Sequence, residues 1–323
     1  MSATHDVLIL GGGGAGCSAA LHLALRGARV ALFERGLVGS QASGVNYGGV
    51  RQNGRHPAEL PIARRSCEIW ARLPELIGTD AEFEVTGHLK LARSAEEEAE
   101  LAGYMAIARA NDLPLELIGS NSIHARYPWL GPCVVAGAFA PEDGAANPRL
   151  LAPAFARAAR AAGAEINEHT PVTEVAHDGA QFVVAHGGRI WRASVALNCM
   201  GYWGGEIAAR FGEPVAVAPL APNMLVSEPI PYFIEPNMGV VGGDVYLRQI
   251  RRGNVIFGGG RGTSDPEVPW GRPLPEPTLA AMARAVEIVP SLAGVQLIRS
   301  WTGIDGDMPD GLPVIGPSRT TPG

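Results

Sequence analysis

The chain has 323 residues, 46% of them hydrophobic, enough to bury a large core and to form two compact domains sharing an interface. A net charge of −6 without an acidic or basic tail excludes the charge pattern of proteins that grip nucleic acid or an anionic membrane, so no nucleic-acid partner is expected. Cys17, Cys67, Cys133 and Cys199 show no C-x-x-C spacing, no secretory signal is visible, and no run approaches the roughly 18 apolar residues of a membrane helix; a cytoplasmic protein without a transmembrane segment is expected.

In chain order, Val7 to Leu10 reads as a buried parallel strand, Ala15 to Arg26 as a helix and Arg29 to Phe33 as a second strand. After the glycine-rich stretch Gly36 to Gly54, a helix is predicted over Ala58 to Leu73, with Leu60, Ala63, Cys67 and Trp70 along one face and Pro74 closing it. Glu82 to Arg93 has strand-like stretches, and Ser94 with Glu97 makes a capping box that opens a helix running to about Asp112. Pro148 to Ala162 reads as an alanine-rich helix, followed by short strands at Ala164 to Ile166, Val172 to Val175, Gln181 to Ala185 and Ile190 to Trp191. Ser194 to Asn198 leads back into a glycine turn. From Pro214 to Gly260 the pattern becomes that of an antiparallel sheet. A proline-rich link over Pro266 to Pro277, a helix over Thr278 to Val289, and strands at Gln296 to Arg299 and Leu312 to Ile315 complete the chain. The fold class is α/β (α+β overall), a Rossmann-like domain combined with a second domain on an antiparallel sheet.

Between the first strand and the first helix stand Gly11, Gly13 and Gly16 in G-x-G-x-x-G spacing. The first glycine permits the tight turn, the second admits a pyrophosphate, and the third lets the helix approach the strand. The unpaired N–H groups and dipole of the helix N-terminus then favour an anion without any basic side chain. Glu34 ends the second strand about 20 residues further on, where a carboxylate accepts from the ribose hydroxyls and disfavours a 2′-phosphate. These residues point to a dinucleotide.

Further motifs narrow the reading: Ala42, Ser43, Gly44, Asn46, Gly48 and Gly49 after the second strand; Thr170 to Val175; Asn198-Cys199-Met200-Gly201-Tyr202-Trp203; Trp301-Thr302-Gly303-Ile304-Asp305; and Pro309-Asp310-Gly311-Leu312-Pro313-Val314-Ile315-Gly316. With them the chain resembles the FAD-dependent D-amino-acid oxidase superfamily, especially its glycine oxidase and sarcosine oxidase β-subunit branches, over nearly its whole length. The resemblance implies a flavoenzyme that oxidises the C–N bond of an amino acid or secondary amine to an imine by hydride transfer. It implies cofactor contacts at Gly11, Gly13, Gly14, Ala15, Gly16, Glu34, Arg35, Ala42, Ser43, Asn46, Gly48, Gly49, Val172, Gly201 and Trp203. FAD is expected to be non-covalent, because Gly303 falls near where some relatives attach flavin through cysteine. It further implies a discontinuous FAD-binding domain, residues 1–80, 145–212 and 290–323, and a substrate domain, residues 81–144 and 213–289.

Two departures stand beside the resemblance. Members of the family usually continue for some tens of residues past this point, so the C-terminal segment is expected to be absent, and a partner subunit supplying it or an electron path is an alternative to a self-sufficient enzyme. Asp305 stands where glycine-oxidase-like members carry an arginine that clamps a carboxylate, which moves the expected substrate toward a secondary amine or N-alkyl amino acid.

For a substrate carboxylate, Arg51, in the loop that resembles the flavin-facing segment, and Tyr246 with Arg248, two apart on one strand face, are the candidate catalytic residues. Tyr47 and Trp301 fit a cofactor wall or ordinary core. Cys17 begins the nucleotide helix, where packing competes with a dipole-lowered pKa. The eight histidines show no metal-ligand spacing, so no metal is expected. Lys90, the sole lysine, lies outside the cofactor segments, which favours a dehydrogenase over an oxygen-reducing oxidase.

Overall fold

The computed structural model describes residues 2–265, 268 and 270–323. Its parallel sheet runs Val195–Asn198, Val7–Leu10, Val30–Phe33, Glu165–Asn167. Every residue of the two central strands is buried, as continuous apolar strands covered on both faces require. Alternation along them decides what each residue meets. Val7, Ile9, Val30 and Leu32 pack against the helices Gly14–Ala24 and Pro148–Ala161. Leu8, Leu10, Ala31 and Phe33 pack against a smaller four-stranded sheet of Ser2–Thr4, Arg189–Ala193, Phe182–His186 and Val175–His177, where Trp191 meets Phe33 edge-on at 5.0 Å.

The larger sheet has eight strands: Leu297–Thr302, Pro222–Pro229, Asn254–Arg261, Tyr246–Gln249, Asn237–Val240, His88–Ala92, Ala136–Ala140 and Glu116–Ile118. All neighbours are antiparallel except Asn237–Val240 and His88–Ala92, which pair in parallel. The helix Pro275–Ile288 contributes Ala281, Ala285 and Ile288 to a core with Leu225, Leu247 and Phe257 of this sheet. Both the antiparallel sheet and the Rossmann-like sheet expected from the residues are present. The larger sheet, however, recruits strands from both sides of the 214–260 stretch. Leu297–Thr302 pairs within it, so the boundary drawn at residue 290 falls before a strand of the larger sheet.

Local differences have local causes. The helix Leu60–Trp70 ends before Pro74, and that proline instead starts the short helix Leu73–Ile77, where its missing N–H costs nothing. Ser94 Oγ accepts from Glu97 N at 3.2 Å as a capping box requires, but the Glu97 carboxylate reaches back to Arg93 N at 2.6 Å, one residue before the cap. The strand expected at Val172 to Val175 begins only at Val175. Leu312 to Ile315 forms no strand: Val314 and Ile315 are 69% and 72% exposed, and the Asp310 carboxylate turns the chain by accepting from Leu312 N at 3.1 Å. The proline-rich link lies partly outside the described residues; its later part, Gly271–Arg272, pairs with Thr263–Ser264. Among the described residues no helix is long and apolar enough to cross a membrane.

Candidate active site

The glycine turn is dictated by contact. At Gly11 φ is +102°, and a Cβ would lie 2.4 Å from the Cys199 carbonyl oxygen; at Gly16 a Cβ would lie 2.0 Å from the Gly11 carbonyl oxygen. Crowding at these two positions brings the helix start against the strand ends. Gly13 differs, because a Cβ there would meet only the Ser43 side chain, at 3.0 Å for Oγ. Gly13 therefore stays open toward the cavity. Ser43 Oγ accepts from Gly14 N at 2.8 Å, tying the loop after the second strand to the helix N-terminus.

Glu34 is held rigidly. Its carboxylate accepts from Gly12 N at 2.9 Å and from Gly36 N at 2.8 Å, and it remains at the cavity wall with lone pairs to spare. Beside it the Arg35 guanidinium lies 3.7 Å from the Trp203 ring centroid, and its buried Nη2 has no hydrogen-bond partner. An orphaned buried cationic donor at a cavity rim fits an acceptor-rich ligand.

These groups line a cavity of about 390 Å³, within the range of small-molecule sites. Gly11, Gly13, Glu34, Arg35, Ala42, Ser43, Val172, Gly201 and Trp203, all expected from the sequence, are on its wall. Gly14 and Gly16 build the turn behind it, and Ala15 is exposed in the helix. Asn46 closes its own loop instead: its Nδ2 donates to Ala42 O and Ser43 O at 3.0 Å each, and its Oδ1 accepts from Gly48 N at 2.8 Å. Gly48, at φ +87°, passes the Ala146 carbonyl, and Gly49 pairs with Ala145. Gly39, Ser40 and Gln41 also line the cavity and were missed; a positive φ at Gly39, against Ala152, was the signal hidden in the glycine-rich stretch.

None of the three residues expected to meet a carboxylate lines this cavity. Tyr246 and Arg248 do share a strand face, but Tyr47 covers it, its ring edge-on to Tyr246 at 5.0 Å. Arg248 is buried, with Nε donating to Tyr47 O and Nη2 to Ala146 O, each at 2.9 Å. Tyr246 donates to Asn223 O at 3.2 Å, and burial holds its phenol well above the ordinary tyrosine range. The expected carboxylate clamp is therefore occupied by the chain's own carbonyls. Arg51 opens on a second cavity of about 240 Å³, with Arg55, Glu59 and Cys67, and donates to Asn53 O. Burial, then the charge of Arg55, holds it below the ordinary arginine value.

Tyr47 is half-buried, bonded through its hydroxyl to Asn237 and Leu247 O, and Trp301 Nε1 donates to Val45 O at 2.8 Å. Burial pushes the Cys17 thiol up to about 12, opposite to the dipole effect, so this cysteine packs.

The family model for FAD-dependent oxidoreductases (DAO) matches residues 6–323. The chain belongs to the DAO family of FAD-dependent oxidoreductases. Its cofactor is FAD, and the backbone donors, Glu34 and the orphaned Arg35 donor fit that group. Glycine oxidase of Geobacillus kaustophilus (strain HTA426) is 28% identical over 98% of this chain and 85% of its own length. Sarcosine oxidase subunit beta of Arthrobacter sp is 29% identical over 97% of this chain and 79% of its own length. The crystal structure of L-proline dehydrogenase from P. horikoshii superposes with a TM-score of 0.90 at 26% identity, covering all of this chain and 87% of that one.

Proposed function

We propose that the protein oxidises the C–N bond of an amine or amino acid to an imine, with non-covalent FAD held mainly by residues 1–80 and 145–212. The observation that carries this reading is the cavity in which the Gly11–Gly16 turn and Glu34 at one side are closed by Ile304 to Gly306 at the other. It is supported by likeness to proteins named for glycine, sarcosine and proline. When bound, FAD supplies the acceptor for the hydride on the carbon bearing nitrogen, and water then hydrolyses the imine.

The chain's own part is binding and orientation. The start of the nucleotide helix at Gly13 faces the diphosphate, Glu34 takes the ribose, and Arg35 on Trp203 flanks the adenosine side. Arg51 is the cation proposed to orient a substrate carboxylate, from the cavity beneath the Gly49–Val50 strand. Tyr246 and Arg248 are proposed to act at one remove, by fixing Tyr47 and the 46–48 loop.

Anaerobic mixing of the FAD-loaded protein with glycine, sarcosine, proline and simple secondary amines tests the reading. Loss of the yellow flavin colour with at least one of them is expected, and no bleaching by any of them would reject it. For an amino-acid substrate, Arg51→Ala is expected to raise KM roughly tenfold or more, while unchanged kinetics remove Arg51 from the site. The likeness to a protein named as a subunit supports a second reading, in which a partner polypeptide completes the electron path; activity of the isolated chain would exclude it.

A further inference from the structure

The segment that closes the cavity is firmly seated. Trp301 Nε1 donates to Val45 O at 2.8 Å, and a Cβ on Gly303 would lie 2.2 Å from Val45 Cγ2, so residues 301–303 lie directly on the loop that follows the second Rossmann strand. The next strand, Asp305–Asp307, is pinned by antiparallel pairing with Ala218–Leu220. Between these two anchors, Ile304, Asp305 and Gly306 form part of the cavity wall.

Asp305 has no cationic partner among the described residues. Only burial and Asp307 act on its carboxyl, both raising its pKa, and it takes part in no ion pair or hydrogen bond of its side chain among the described residues. It pairs with Leu220, three residues before Asn223, whose carbonyl accepts from the Tyr246 hydroxyl, so it stands where the cofactor cavity meets the larger sheet. No arginine is among the groups acting on it. Arg248 is bound to two carbonyls, Arg51 opens on the second cavity, and Arg35 stacks on Trp203 near Glu34.

We infer that Asp305 determines the charge of the substrate: the site recruits an amine in its cationic form, directed at the Asp305 carboxylate, which takes one N–H proton before the hydride leaves the carbon, and it rejects a ligand that places a carboxylate there. An uncompensated, partly desolvated acid attracts a cation and repels an anion far more strongly than an exposed one. A carboxylate on the substrate is admitted only if it points away from Asp305. This inference rests on the amine-oxidation reading and sharpens its substrate class.

The test uses two probes of one shape and opposite charge, tert-butylammonium and pivalate, neither of which has a hydrogen on the carbon that flavin would attack. Each is titrated at neutral pH into the FAD-saturated protein and followed by calorimetry and by the visible flavin spectrum. Tert-butylammonium is expected to bind at least ~10-fold more tightly than pivalate. Asp305→Asn should abolish that preference while still binding FAD, and Asp305→Glu should keep it. Equal or tighter binding of pivalate, no binding of either probe, or a preference that survives in Asp305→Asn overturns the inference. If Asp305→Asn does not load FAD, the wild-type ratio together with Asp305→Glu still decides. Failure of the whole amine panel with the cation preference intact counts against amine oxidation and not against Asp305; bleaching by amines with a pivalate preference does the reverse.

Discussion

The glycine turn and the Tyr246–Arg248 face each present the ligand-binding chemistry that their residue types suggest, yet they use it differently. At the turn, the functional groups are backbone N–H groups, and their positions follow from steric exclusion: no other residue fits at Gly11 or Gly16. On the strand face, the functional groups are side chains, and the fold has spent them on Tyr47 O, Ala146 O and Asn223 O. A backbone motif leaves a mark on the sequence wherever a Cβ is forbidden, whereas an arginine carries no mark of the partner it has found.

The largest expected effect breaks the turn. Gly11→Ala places a Cβ against the Cys199 carbonyl in a left-handed conformation, so it should cost about 3 kcal/mol or more and abolish flavin retention, read by urea unfolding and by the colour of the purified protein. A stable, yellow Gly11→Ala protein would remove steric necessity from the contrast. Next, Arg248→Met should lower stability by about 2–4 kcal/mol, because two carbonyls lose their charged donor. If unfolding is unaffected and KM for an amino acid rises instead, the strand face is a substrate surface after all.

The smallest effect is one of pH. Burial, reinforced by the charges of Arg51, Lys90 and Arg55, holds His88 well below its ordinary 6.5. Between that lowered value and 6.5 the unfolded chain carries a proton that the folded chain refuses. Stability therefore falls as pH drops below 6.5, with a slope of at most about 1.4 kcal/mol per pH unit from this group. His88→Gln should flatten that part of the pH–stability curve; an identical slope in the variant would assign the acid sensitivity to other groups.

The same distinction explains what was legible beforehand. The parallel strands, the nucleotide helix and Glu34 were visible because burial on both faces, small residues at a helix–strand contact and an acid at a strand end are local signatures. Val172, Gly201 and Trp203 were found through resemblance, and all three reach the cavity. The order of the larger sheet was not legible, because His88–Ala92 joins Asn237–Val240 across a long stretch of chain and no local pattern announces a partner so distant. Leu312 to Ile315 misled for the opposite reason: its apolar residues resemble a strand, but among the described residues they pair with no other strand, and Val314 and Ile315 stand exposed.

The cavity has a consequence for how the protein comes to hold its cofactor. Its wall draws on the turn at Gly11, the segment from Phe33 to Ser43, Val172, the stretch from Cys199 to Trp203, and Ile304 to Gly306. Sites assembled from such widely separated segments form only after the intervening loops have closed. A nascent chain emerging from the ribosome thus exposes its dinucleotide turn early, but it has no complete pocket until residues 301–306 are free to fold back onto the Ala42–Val45 helix and the Ala218–Leu220 strand. Flavin capture is a late event in the life of this polypeptide, and apoprotein, not holoprotein, is the species that must survive until then.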